Sequence, residues 1–208
     1  MANTFSKKVI LLFYLVTIFL IGLVFFVGTR MNIPFNKITG DPALTFGENP
    51  LTGFLSNIGV LFWCATVAIL AFSSVLAGKM NHKKEMLFLL SSGVITAILM
   101  LDDLFMVHDY LFYSIGWNQY VMYTIYLVLF ILYFLYYFKF LRKLPFRFLL
   151  IAAFFFLGSS VGMDIIFETT NMEYFVEDSF KFTGIVSWFL FYVLNSLAFV
   201  KNLLFKEN

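Results

Sequence analysis

Residues 86–112, MLFLLSSGVITAILMLDDLFMVHDYLF, decide how this chain is read. From Met86 to Leu101 the run holds no charged residue. A helix that crosses a bilayer needs about 20 mostly apolar residues, and this run exceeds that length. Asp102, Asp103, His108 and Asp109 then follow inside the same run. A carboxylate at the centre of a spanning helix costs roughly 2.5–3.5 kcal/mol on insertion scales, so acids kept there are expected to have a function.

The rest of the chain has the same character. Of 208 residues, 62% are hydrophobic and only 12% charged, against about 45–50% apolar in a soluble domain. Apolar runs at about 9–27, 51–78, 86–112, 119–138, 148–167 and 183–200 predict six transmembrane helices. The fold class expected is all-α: one polytopic transmembrane domain over residues 1–208. The 9–27 run follows Lys7 and Lys8 as in a signal peptide, but it is too long for an h-region. No small-residue cleavage pattern follows it before Arg30, so it is read as a retained helix. Thr29–Pro50, with Pro34, Asp41-Pro42, Gly47 and Pro50, is expected as a loop. An acidic loop is expected over 168–182. Gly158 and Gly162 form a small-xxx-small pattern that predicts close approach of another helix to the fifth span.

Charge sets the expected orientation. Of the 14 Lys and Arg residues, only Arg30, Lys37 and Lys181 fall on one side of the six-span arrangement. The positive-inside rule therefore puts both termini in the cytoplasm, with a bacterial cytoplasmic membrane as the expected location. Basic residues sit in short turns between spans, which is a topology signal and not a nucleic-acid surface. No nucleic-acid partner is expected. The single Cys64 excludes a disulfide framework within the chain and a thiolate metal site.

The acids converge in depth. Asp102 and Asp103 come late in the third span, Asp164 and Glu168 at the end of the fifth, and Glu177, Asp178 and Lys181 before or at the start of the sixth, with Asn57 early in the second. All fall toward the outer side. On one continuous helix Asp102 and Asp109, seven apart, share a face, and Asp103 and His108 project to either side. Asp164 and Glu168 share a face four residues apart. Lys181, Trp188 and Asn195 repeat every seven residues, which predicts a stripe facing the bundle interior.

Carboxylates and an imidazole drawn from several helices suit a divalent metal ion. Asp102, Asp109, Asp164 and Glu168 are the expected ligands, His108 and Asp103 the expected general acid or base, and Asn57, Glu177, Asp178 and Lys181 the supporting residues. Two local roles compete: Glu177 as the intrahelical ion-pair partner of Lys181, and Asp164 as its counterion. With His82 in a basic turn, only His108 remains near the cluster, so a three-histidine zinc centre is excluded. The function expected is a metal-dependent integral-membrane enzyme acting on a lipid or isoprenoid-like substrate, with membrane lipids as its surroundings. A cation or proton transporter, and a non-catalytic subunit or sensor with an ion-binding acidic cluster, are the alternatives.

Overall fold

The computed structural model describes residues 2–39, 42–49, 51–107, 116, 119–166 and 171–205. All regular structure among them is helical. Contacts divide the chain into two units, Met1–Phe54 and Leu55–Asn208.

The first unit holds α1 (Ala2–Arg30) and two short helices, α2 (Phe35–Thr39) and α3 (Pro42–Phe46). At 29 residues, α1 extends beyond the predicted 9–27 at both ends. Backbone closure ends it. Asn32 turns to φ 52° and the Ile33 amide donates back to Gly28 O at 3.0 Å, a Schellman closure, and Pro34 then cannot continue the ladder. The stretch expected as a plain loop carries α2 and α3 instead. Pro42 is the first residue of α3, where its missing N–H costs nothing.

The second unit is built from α4 (Phe54–Lys79), α5 (Lys83–Phe105), α6 (Gln119–Leu141), α7 (Arg147–Ile166) and α8 (Asn171–Phe205). Each contains a segment long and apolar enough to cross a membrane. The protein is thus an all-α, multi-pass helical membrane bundle. Large apolar side chains such as Ile131, Leu132 and Leu135 on α6 stand exposed, as a surface solvated by acyl chains requires.

Two boundaries differ from expectation and both matter for the site. The third span, expected to run to Phe112, ends as α5 at Phe105, where Met106 adopts a left-handed conformation at φ 47° and ψ 47°. α5 thus ends short of Asp109, which lies outside the described residues. The sixth span begins at Asn171, not Thr183, so Glu177, Asp178 and Lys181 are helical and not loop residues. Glu177 and Lys181 stand in the order that favours a helix at four-residue spacing. Ser179 Oγ donates to Phe175 O at 2.6 Å and Thr183 Oγ1 to Ser179 O at 2.7 Å, tying the first turns of α8 together.

The core is a ladder between α5 and α8. Lys181 pairs with Asp103, and seven residues on, Trp188 Nε1 donates to Thr96 Oγ1 at 3.1 Å. Four residues further, Tyr192 lies 3.3 Å from Tyr133 of α6, which lies 2.6 Å from Ser92. Each step along α8 matches an equal and opposite step along α5, which fixes an antiparallel register. Ser92 spends its one proton on Phe88 O at 2.6 Å, so Tyr133 donates to Ser92 and accepts from Tyr192. Trp188, Phe191 and Tyr192 are fully enclosed. The expected stripe Lys181, Trp188, Asn195 does face inward. Asn195, however, bonds Phe191 O of its own helix at 2.7 Å and does not bridge helices.

Close helix approach falls elsewhere than predicted. A Cβ on Gly158 or Gly162 would meet nothing within 4 Å, whereas one on Gly184 would lie 2.7 Å from Leu157 Cγ and 3.0 Å from Leu157 N. Gly184 of α8 is therefore the residue that lets α7 and α8 meet. Gly184→Ala should lower stability by about 1–3 kcal/mol through overpacking, with partial rescue by Leu157→Ala. Gly162→Ala should be neutral or mildly stabilising, by at most about 1 kcal/mol. Thermal unfolding of the purified variants in detergent checks both.

Candidate functional site

The ladder delivers Asp103 to the interior with both oxygens engaged. Its Oδ1 forms the ion pair with Lys181, and its Oδ2 accepts from Trp63 Nε1 of α4 at 3.2 Å. The Asp103 side chain is 7% exposed and that of Lys181 34%. Lys181 can thus keep its ammonium near the polar edge while its stem covers apolar surface. Lys181 thus takes Asp103 as a counterion, a pairing that the sequence reading, which weighed Glu177 and Asp164, did not name. With its carboxylate so committed, Asp103 acts as a structural counterion in this state, whatever further role it has.

Asp102, the neighbouring residue, is buried. Adjacent helical residues diverge by about 100°, so it enters a different sector, next to Tyr126 of α6. Asp164, on α7, accepts a hydrogen bond from Tyr123 OH at 2.8 Å. Acids from α5 and α7 are therefore each set against a tyrosine of α6.

These groups share a cavity of about 730 Å³, within the usual range of about 300–1,000 Å³ for small-molecule sites. One end carries Asp102, Asp103, Asp164, Glu177, Asp178 and Lys181. The opposite end is Leu127 and Phe130 from α6 with Phe154 and Leu157 from α7. Gly158 lines the wall, and the direction of its missing side chain is open space. This is an amphipathic chamber: a strongly acidic head, five carboxyl groups to one ammonium, above an aromatic and aliphatic body.

Of the residues expected in the site, Asp102, Asp103, Asp164, Glu177, Asp178 and Lys181 do come together in this lining. His108, Asp109 and Glu168 lie outside the described residues. Asn57 is exposed and takes no part in the lining. Among the described residues no three His, Cys, Asp or Glu side chains are grouped to hold a metal ion.

Trp63, Tyr123 and Tyr126 were not expected. The aromatic residues of the fourth span read as packing or lipid-facing, yet Tyr123, Tyr126, Tyr133 and Tyr137 recur at spacings of three, seven and four, a single helix face. That phenol stripe was the available signal. Tyr133 and Tyr137 reach Ser92 and Ser91, at 2.6 and 3.0 Å, while Tyr123 and Tyr126 turn to the acids.

The ion pair is testable by a double-mutant cycle. Asp103→Asn and Lys181→Met alone each strand a partly buried charge and should cost about 2–3 kcal/mol. The double variant should recover much of that loss, and thermal unfolding gives a coupling energy of about 1 kcal/mol or more. Additive losses would mean that the pair contributes nothing to the fold.

No curated protein and no solved structure matches the chain. A family model does, over residues 8–194, and its description is "Domain of unknown function (DUF8692)". With nearly the whole bundle covered by that match, the chain belongs to the DUF8692 family.

Proposed function

We propose that this protein is an integral-membrane enzyme that takes a lipid or isoprenoid-like amphiphile into the chamber and acts on its polar head at Asp102 and Asp164. The observation that carries the reading is the chamber itself, which sets buried carboxylates at one end of an apolar volume of small-molecule size. Soluble metabolites do not need the Phe130, Phe154 and Leu157 body. An acyl or prenyl chain, which leaves one apolar surrounding for another when it enters from the bilayer, does.

A divalent cation belongs to the proposal. Asp102 and Asp164 alone are too few for a permanent all-protein cage. Mg²⁺, however, is commonly held by one or two carboxylates together with waters and substrate phosphate. A cation recruited with a phosphate-bearing head would offset the charge repulsion in the acidic end and polarise the phosphoryl oxygen. Tyr123, which already donates to Asp164, and Tyr126, beside Asp102, would orient the two acids. Orientation is proposed from the Lys and Arg bias, which directs the acidic end toward the outer leaflet of a cytoplasmic membrane, with both termini inside.

One observation favours transport as a second reading. Below the chamber, Thr96, Trp188, Ser92, Tyr133 and Tyr192 continue the polar column into the other half of the bundle. The described part of that column holds no carboxylate, which ranks proton relay below catalysis.

The deciding experiment incubates the purified protein with a total membrane lipid extract and Mg²⁺ and follows lipid masses. Wild type should convert one lipid class. Asp102→Asn, which removes a carboxylate proposed to hold the cation, should lose about 100-fold or more of that turnover, while still retaining the lipid on purification. Gly158→Trp should expel the lipid by filling the chamber. No conversion by wild type, with proton flux in liposomes that Asp102→Asn abolishes, would replace the enzyme with a transporter.

A further inference from the structure

At the apolar end of the chamber three rings from three helices pack together as a stop, Phe130 and Phe154 lining the cavity. Phe130 of α6 meets Phe154 of α7 edge to face, with centroids 5.0 Å apart and planes at 83°. Trp188 of α8 stands behind both, 5.5 Å from Phe154 and 6.0 Å from Phe130, at 67° and 70°. Each ring therefore holds the other two in the arrangement that aromatic quadrupoles prefer.

The stop cannot recede easily. Trp188 is fully enclosed and is fixed through Nε1 to Thr96 at 3.1 Å. Behind Phe154 lies Phe134, at 4.9 Å, and behind Trp188 lies Tyr192, at 5.3 Å. Rings have only two side-chain torsions, so they yield less to an incoming chain than Met, with three, would. The wall above is fixed as well, because Leu157 is seated against Gly184. From Asp164 to Phe154 the α7 wall measures about 15 Å at the helical rise. The head site and the floor are thus rigid points a set distance apart.

Resting on the amphiphile reading above, we infer that the Phe130–Phe154–Trp188 stop limits the length of hydrocarbon chain that the chamber accepts. Phe130 and Phe154, which line it, are the specificity-determining residues. The head recognises charge, and the floor measures the tail.

The test uses ω-bromoalkylammonium ions from octyl to octadecyl. Their heads complement the carboxylates, and their bromine quenches tryptophan fluorescence. Binding is titrated on the full-length protein in nanodiscs. Referred to the free aqueous probe concentration, wild-type affinity should rise about fourfold with each added methylene, the value for its transfer out of water, and then break sharply. Phe130→Ala and Phe154→Ala should move the break to longer chains. Gly158→Leu, whose side chain enters open space and so leaves the fold intact, should move it to shorter ones. A wild-type series with no break, or an unchanged break in Gly158→Leu and in whichever alanine variants fold, would overturn the ruler while leaving amphiphile binding in place. Absence of saturable binding for every length would remove the amphiphile reading, and the ruler with it.

Discussion

A carboxylate inside a hydrocarbon layer has to find a cation or a hydrogen-bond donor, and Asp103 finds both. Lys181 neutralises one oxygen and the Trp63 indole donates to the other. The consequence reaches beyond the pair. With Asp103 joined to Lys181, the antiparallel register of α5 and α8 is set, and Thr96–Trp188 and Ser92–Tyr133–Tyr192 fall into line below it. Interhelical hydrogen bonds in membranes contribute only about 0.6 kcal/mol each on average. Their value here is in specifying which residues face which, because a slip of either helix would leave several polar groups stranded in an apolar interior.

The same ladder explains why there is a chamber at all. Trp188, Tyr192 and Tyr133 are large, and they hold α5, α6 and α8 apart while filling the lower core. The tightest glycine contact among the described residues joins α7 and α8, at Gly184 against Leu157. Above the aromatic floor Tyr123 spans from α6 to Asp164 of α7, and Gly158 leaves open space in the wall below it. The acids then line the upper rim, each engaged in a way that follows from its helix. Asp103 faces α8 and is neutralised; Asp102, turned by about 100°, faces α6 and Tyr126; Asp164 meets Tyr123. Three acids near one another thus have three different environments.

Proximity in sequence was a poor guide to these roles. Asp102 and Asp103 read as equivalent, and the better inward partner for Asp102 read as Asp109, seven residues along a continuous helix. That reasoning needed α5 to continue, and it stops at Phe105 with Met106 left-handed. Helix termination at a residue with no Gly or Asn character carries no sequence signal. The opposite error occurred at α8, where a density of acids suggested a loop although their spacing with Phe175, Val176 and Phe180 suits a helix. The Gly158–Gly162 pattern had the correct residue type for close packing, but glycine also serves to leave space, and only neighbouring backbone distinguishes the two uses.

The sequence by itself determined the class of the protein and pointed to the charged residues that line the acidic end of the cavity. Apolar run length against bilayer thickness is a local quantity, so the spanning segments were legible, and so was the gathering of Asp102, Asp103, Asp164, Glu177, Asp178 and Lys181 in one lining. The seven-residue stripe on α8 was legible for the same reason, since helical periodicity needs no partner. Tertiary structure alone decided that Lys181 pairs with Asp103, which tyrosines of α6 meet the acids, and that an apolar cavity lined by Phe130 and Phe154 lies beside them. Each of those depends on side-chain volumes and angles from three or more helices meeting in space, and no single segment contains that information.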